Sequence, residues 1–230
     1  MDIWFYALLI IGSYLIGAVP FGFLIGKLHG VDIRKVGSCN IGATNVTRTV
    51  GKIPGKICFV LDLLKGALPV LAAQLFRPDE PWLALVCGAA AVIGHIFPVY
   101  LKFRGGKGVS TAAGVALALA PLPLLCAAAV WVASFFIWRY VSLASILAAL
   151  TLPLFAGLFI FLGKGTKTAC SWLTLGFLAA AAVITVLRHT GNIKRLLNGT
   201  ENRFGKPEAP TPPAEENKFK PADASRTREE

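Results

Sequence analysis

Val109-Ser-Thr-Ala-Ala-Gly-Val-Ala-Leu-Ala-Leu-Ala-Pro121-Leu-Pro123-Leu-Leu-Cys-Ala-Ala-Ala-Val-Trp-Val-Ala-Ser-Phe-Phe-Ile-Trp138 carries no charge from end to end, and its reading sets the topology of the whole chain. Two prolines divide it into pieces of roughly twelve and fifteen residues. It is therefore either one broken membrane span or two short spans joined by an external Pro-Leu-Pro turn. The choice decides on which side of a membrane the C-terminal residues lie.

The flanking runs supply the direction. Ile3 to Leu28 is long enough to cross a core of roughly 30 Å at about 1.5 Å per residue, and Pro20 with several glycines predicts a kink in its second half. With no basic leader and no Ala-x-Ala site, it is expected to be a retained helix and not a removed signal peptide. Lys27, Arg34, Lys35, Arg48, Lys52 and Lys56 follow, against the single carboxylate of Asp32. That balance puts the connection in the cytoplasm and the N-terminus outside. Ile57 to Phe76 crosses outward to Arg77-Pro-Asp-Glu-Pro81, a turn of net charge −1, and Trp82 to Leu101 returns.

If the chain reverses at Pro121 to Pro123, Arg139 is inside, Ser142 to Leu162 runs outward and Ser171 to Leu187 comes back. Lys164 and Lys167 would then be external, which weighs against this path. Arg188, Lys194, Arg195, Arg203 and Lys206 form a larger cluster that belongs inside. The expected architecture is an all-α polytopic membrane protein of about seven transmembrane helices, with three polar cytoplasmic loops forming one site. Residues 1–205 make the membrane domain, and 206–230, rich in Pro, Glu, Lys and Ala, are expected to be a disordered tail.

Bulk properties agree. At 55% hydrophobic and 15% charged residues, with mean hydropathy +0.65, the 230-residue chain is too apolar for a soluble domain. Its formal charge is +11, but the 23 Lys and Arg sit at the edges of apolar runs. Nucleic acid is not expected as a partner; membrane lipid headgroups or a phosphate-bearing substrate are. Cysteines 39, 58, 87, 126 and 170 stand singly, so neither disulfides nor a metal site is expected, and no cofactor is indicated.

Three polar motifs interrupt the apolar runs. The first, Val36-Gly-Ser-Cys-Asn-Ile-Gly-Ala-Thr-Asn-Val-Thr-Arg48, packs Ser38, Asn40, Thr44, Asn45 and Arg48 with two glycines. Short hydrogen-bonding side chains, a guanidinium fork and exposed amides suit an oxyanion or phosphate; a capped turn leading into a helix is the bland alternative. The second, Lys102-Phe-Arg104-Gly105-Gly106-Lys107-Gly108-Val-Ser-Thr111, reads as a phosphate nest at a helix start. It lacks the nucleotide P-loop spacing, so nucleotide hydrolysis is not indicated, although a tight interfacial turn would look similar. The third, Arg188-His189-Thr-Gly-Asn192-Ile-Lys-Arg195-Leu-Leu-Asn-Gly-Thr-Glu201, spaces its apolar residues for a short interfacial helix. Asp62 and Lys65, three apart on one helix face, are expected to pair with each other, and His95 reads as a core histidine ahead of the second motif.

Taken with Asp62-Leu-Leu-Lys65-Gly and His95-Ile-Phe-Pro-Val, these motifs resemble the bacterial acyl-phosphate:glycerol-3-phosphate acyltransferase family over essentially all of residues 1–205. Cys39 stands where glycine is expected, and Ser110 where alanine is more usual. The resemblance implies transfer of a fatty acyl group from acyl phosphate to the 1-hydroxyl of sn-glycerol 3-phosphate, giving lysophosphatidate and phosphate at the cytoplasmic face of the bacterial plasma membrane. The implied partners are those two substrates, membrane lipid and an acyl-phosphate-producing enzyme acting upstream.

On this basis Ser38, Arg48, Lys107, His189 and Asn192 are the candidate catalytic residues. Asn40, Thr44, Asn45, Arg104, Gly105, Gly106, Gly108, Arg188 and Arg195 are candidate binding residues, and Asp62, Lys65, His95 and Glu201 structural ones. An acyl phosphate is already an activated anhydride, so positioning and charge stabilisation would suffice without an acyl-enzyme. The competing reading is an organophosphate transporter, which would place its binding groups near the bilayer midplane.

Overall fold

A computed structural model describes residues 2–163 and 171–205; Lys164, Lys167 and the tail at 206–230 lie outside the described residues. Within them all regular structure is helical: α1 (Asp2–Ala18), α2 (Phe21–Leu28), α3 (Ala43–Thr49), α4 (Lys52–Phe76), α5 (Pro81–Ile96), a 3₁₀ turn (Val99–Leu101), α6 (Val109–Leu119), α7 (Pro121–Trp138), α8 (Val141–Phe161), α9 (Trp172–Arg188) and α10 (Thr190–Leu197). Five stretches are long and apolar enough to cross a membrane: Ile3–Leu28, α4, Pro81–Leu101, α7 and α8. The pair α9 and α10, bent by 56°, makes a sixth if taken together. At 11 residues, α6 spans only about half of a hydrocarbon core.

The expected kink is the break between α1 and α2 at Val19 and Pro20. A proline has no amide to continue the ladder, and at the break the Val19 carbonyl accepts from the Phe21 amide at 3.1 Å and from Lys65 Nζ of α4 at 2.7 Å. Helix α4 starts at Lys52, five residues before the apolar run suggested. Its Pro54 falls in the first turn, where a missing amide costs nothing. The third apolar run is not one helix either, because Pro98 ends α5 at Ile96.

The segment that decides the topology breaks at Ala120, where φ −149 and ψ 66 leave the helical region between α6 and α7. Both legs then border one groove. Ser110 and Ala113 of α6 face Ala128 and Val132 of α7 across one groove, whereas the end of α6 and the start of α7 share a cleft at the opposite end with Arg77, Glu80 and Ser171. The helices thus alternate between two ends of the bundle, and all three polar motifs gather at one of them.

Helix α1 packs along α5, α4 along α6, and α7 along α8. Glycine permits the closest of these approaches: a Cβ at Gly66 would collide with the Thr111 carbonyl, and one at Gly114 with the Leu63 carbonyl. Small residues at such crossings are what helices need where lipid removes the hydrophobic drive to associate. The core contains Val70, Leu83, Val115 and Leu119, while Leu154, Phe161 and Trp172 face outward at 69%, 86% and 74% exposure.

Candidate active site

The first motif is a turn followed by a helix, and both parts line the cleft. Asn40 Oδ1 accepts from the Gly42 amide at 2.9 Å, setting the entry to α3. Asn45 is 1% exposed. Its amide nitrogen donates to the carbonyls of Ile33 and Val36, and its Oδ1 accepts from the Ser38 amide at 2.9 Å. These bonds tie the loop, so Asn45 positions Ser38. Cys39 sits at φ 55, a left-handed conformation that explains why glycine is the expected residue there.

The second motif departs from the phosphate-nest expectation. The amide of Gly105 donates to the Ile96 carbonyl and that of Gly106 to the His95 carbonyl, at 3.2 and 3.1 Å. Both are turned back onto the end of α5, and a Cβ at Gly106 would strike the His95 imidazole. These glycines serve close packing. The anion-attracting geometry lies two residues further on, at the N-terminus of α6. There Gly108, at φ 82, caps the helix, and Gly108, Val109 and Ser110 line the cleft with first-turn amides that have no intrahelical acceptor.

The third motif forms α10 after a bend at His189. Lys107 Nζ donates to Asn192 Oδ1, Asn192 Nδ2 donates to Glu201 Oε1 at 2.7 Å, and Arg195 Nε donates to Glu201 Oε2 at 2.7 Å. Ser142 at the start of α8 donates to the same carboxylate at 2.8 Å. Burial opposes charge on Glu201, yet these three donors hold its pKa below the ordinary carboxylate value. Residues after Glu201 fold back over α7: the Phe204 amide donates to the Arg139 carbonyl and its ring meets Phe135 edge-on. Arg48 Nη2 reaches the Asn202 carbonyl at 3.4 Å, linking the first motif to the third.

His189 is 2% exposed. Its Nδ1 hydrogen-bonds the Thr185 carbonyl at 2.8 Å. A carbonyl only accepts, so Nδ1 carries the proton and Nε2 is left as the acceptor. Burial, reinforced by the Lys107 cation, pushes the imidazole pKa down to about 4, which keeps the ring neutral near pH 7. Burial likewise lowers the Lys107 ammonium to about 8, although Glu201 works in the other direction.

Ser38, Asn40, Thr44, Asn45, Arg48, Lys107, Gly108, His189, Asn192, Arg195 and Glu201 thus share one cleft of about 900 Å³, counting its open mouth. Asp62 and His95 form part of its floor. Asp62 pairs with Lys65 at 2.8 Å, and His95 Nδ1 lies 3.8 Å from the same carboxylate oxygen. Arg104, Gly105 and Arg188 are separated from this group and line a second cleft. Arg188 is drawn there because its guanidinium donates to the Gly106 carbonyl at 3.0 Å and lies over Phe97.

The sequence reading missed Ser142, Ser145 and Trp131, which complete the wall opposite α3. Only the chain reversal at Ala120 brings them there. From that wall an apolar groove of about 970 Å³ runs down between α6, α7, α8 and α9, past Leu124, Ala148, Leu152, Phe177 and Leu178. Phe59, Val109, Ser110, Trp131 and Ser145 belong to both the polar cleft and the groove.

Comparison with known proteins points the same way. Residues 7–199 match the family model described as glycerol-3-phosphate acyltransferase. The chain is 48% identical over 195 residues to a glycerol-3-phosphate acyltransferase of Trichlorobacter lovleyi, covering 85% of this chain and 95% of the relative. It is 45% identical over 197 residues to one of Aquifex aeolicus, covering 85% and 97%. It also resembles crystal structures of PlsY, an integral membrane glycerol 3-phosphate acyltransferase. The glycerol 3-phosphate form superposes with TM-score 0.78 at 43% identity, over 87% of this chain and 96% of that one. The lysophosphatidic acid form gives 0.76 at 42%, over 87% and 95%.

Proposed function

The chain belongs to the glycerol-3-phosphate acyltransferase family, and from that premise we propose how its cleft and groove divide the work between two substrates. It is an integral membrane enzyme that transfers a fatty acyl group from acyl phosphate to the 1-hydroxyl of glycerol 3-phosphate, releasing lysophosphatidate and phosphate. The observation that carries the assignment of substrates to places is the continuity of the polar cleft with the apolar groove at Val109, Ser110 and Trp131.

The acyl chain lies in the groove between α6, α7, α8 and α9. Its phosphate then meets the N-terminus of α6 and Lys107, both of which favour negative charge. Glycerol 3-phosphate enters on the opposite side, with its phosphate on Arg48 and Arg195 and its glycerol against Ser38, Asn40 and Thr44. The 1-hydroxyl donates to Nε2 of His189 and attacks the carbonyl carbon. The oxyanion that forms collapses by expelling phosphate, and the hydroxyl proton leaves with that phosphate. A neutral imidazole of low basicity suits orientation better than proton abstraction. No step requires a bond between enzyme and acyl group.

For topology, α6 counts as a seventh, short crossing, with the cleft opening to the cytoplasm of a bacterial plasma membrane. The gathering of cationic loops at the cleft end supports this orientation. Cysteine-scanning accessibility tests it: positions 38, 107 and 189 label from the cytoplasmic side and position 79 from the other. Labelling of 189 together with 79 would reverse the assignment.

The chemical test uses purified protein with acyl phosphate and no nucleotide, acyl carrier protein or coenzyme A. Phosphate is released only when glycerol 3-phosphate is added, and lysophosphatidate forms in equal amount. Comparable turnover with acyl-coenzyme A would overturn the choice of donor.

A further inference from the structure

We propose that the second cleft, beside the acyl-transfer site, binds the phosphate of an anionic phospholipid from the surrounding leaflet; this rests on the membrane orientation above and not on the assignment of catalytic groups. The cleft lies between the loop after α2 and the turn before α6, with about 1070 Å³ of space including its mouth. Arg34, Lys35, Arg104 and Arg188 line it against one carboxylate, Asp32. That carboxylate is already engaged by Arg34 at 2.9 and 2.8 Å. The side chains of Lys35 and Arg104 have no hydrogen-bond or ion-pair partner among the described residues. The excess of positive charge faces an open cavity and calls for an anion.

Depth identifies the kind of anion. The Arg34 guanidinium rests 4.4 Å from the centre of the Phe23 ring on α2, and that of Arg188 rests 5.8 Å from Phe97 just past α5. Both rings sit at ends of membrane-crossing stretches, so the cations are held at the level of the lipid phosphates. The rim is apolar: Phe103 lines the cleft at 59% exposure, and Tyr100 beside it is 55% exposed. A soluble phosphate has no use for exposed aromatics, whereas a phospholipid brings a glyceride body to cover them.

Occupancy would be felt at the transfer site by two routes. Arg188 donates to the carbonyl of Gly106, one residue before Lys107. Cys39, exposed in the same cleft, adjoins Ser38 and Asn40 of the transfer site. A bound lipid phosphate therefore steadies both substrate loops, and turnover rises with the anionic lipid content of the bilayer.

Binding is measured on the full chain in nanodiscs of phosphatidylcholine carrying spin-labelled phosphatidylglycerol or spin-labelled phosphatidylcholine. The anionic probe is held about fivefold or more in preference, and Arg34→Gln with Lys35→Gln brings the two probes close to parity. Neither glycerol 3-phosphate nor inorganic phosphate displaces it. An unchanged preference in the double variant overturns the proposal, and so does displacement by either soluble anion, which would make the cleft a soluble-anion site. A second measurement needs no substitution. Alkylation of Cys39 by N-ethylmaleimide, followed by peptide mass spectrometry, is slower when phosphatidylglycerol is present; equal rates would refute it. Both readouts are of binding, so a failure of the acyl-transfer scheme leaves them intact.

Discussion

Lys107 Nζ donates a hydrogen bond to Oδ1 of Asn192, joining residues 85 positions apart in the chain. Since Asn192 Nδ2 is in turn committed to Glu201, the amide is fixed at both ends, and the asparagine acts by aiming the ammonium. Glu201, the carboxylate of this network, lines the same cleft and takes hydrogen bonds from Ser142, Asn192 and Arg195. Its charge favours the protonated form of Lys107.

The Lys107 pKa of about 8 has a visible consequence. The charged form is complete well below pH 8 and is lost as pH rises through that value, so kcat/KM for acyl phosphate should be flat near neutrality and fall above pH 8. Glu201 raises this pKa, so Glu201→Gln should move the alkaline limb to lower pH, and Lys107→Arg should abolish it. Initial-rate pH profiles of the three proteins check this. A limb that stays in place in Lys107→Arg assigns it to another group.

His189→Gln keeps a polar group near Thr185 and removes the imidazole acceptor. With a ring pKa near 4, the loss should be about tenfold in kcat with the shape of the pH profile unchanged. A loss of a hundredfold or more, with a new dependence on pH, would instead identify His189 as the base.

Gly106→Ala should act through His95, because the added Cβ meets its imidazole. The expected result is a lower thermal midpoint and weaker activity with both substrates, and a double variant with His95→Ala should recover much of the loss. A double-mutant cycle measures that coupling. Strict additivity, with a defect confined to the KM for one phosphate, would return the glycine to direct anion binding.

Asp62 and Lys65 are buried together at 1% and 3% exposure. Asp62→Asn leaves an ammonium without its counter-ion in the helix bundle, a loss of roughly 3–5 kcal/mol. The yield of folded protein in mild detergent should collapse. Adding Lys65→Met should restore part of it, less the capping bond that Lys65 gives to Val19. Fluorescence-detected size exclusion reads both outcomes. Normal behaviour of Asp62→Asn alone would mean that the pair contributes little.

The membrane class, the apolar helices and the gathering of three motifs at one end were legible in the sequence, because apolar length and the placement of Lys and Arg act locally along the chain. The break at Ala120 was legible as a choice between two paths, fixed by prolines and charge balance. What could not be read was the partner of each polar group. Nothing near Gly105 or Gly106 says that their amides turn back to α5, and the three hydrogen bonds of the Asn45 side chain come from residues up to 12 positions away. Ser142 was overlooked for the related reason that it follows an apolar span and carries no motif. It reaches Glu201, 59 residues later, only because α8 starts at the same end as α10.

The shortness of α6 bears on the bilayer itself. Its far end lies at the opposite end of the bundle from the substrate cleft, in a polar recess where Gln74 Nε2 donates to the Ala118 carbonyl and Arg77 and Glu80 stand nearby. From the opposite side the substrate cleft descends to Asp62 and His95. Two polar hollows thus open at the two ends of the same part of the protein. The layer left between them includes Val70, Leu83, Val115 and Leu119, each at most 2% exposed. The packing of those core side chains is what closes the path between the two hollows.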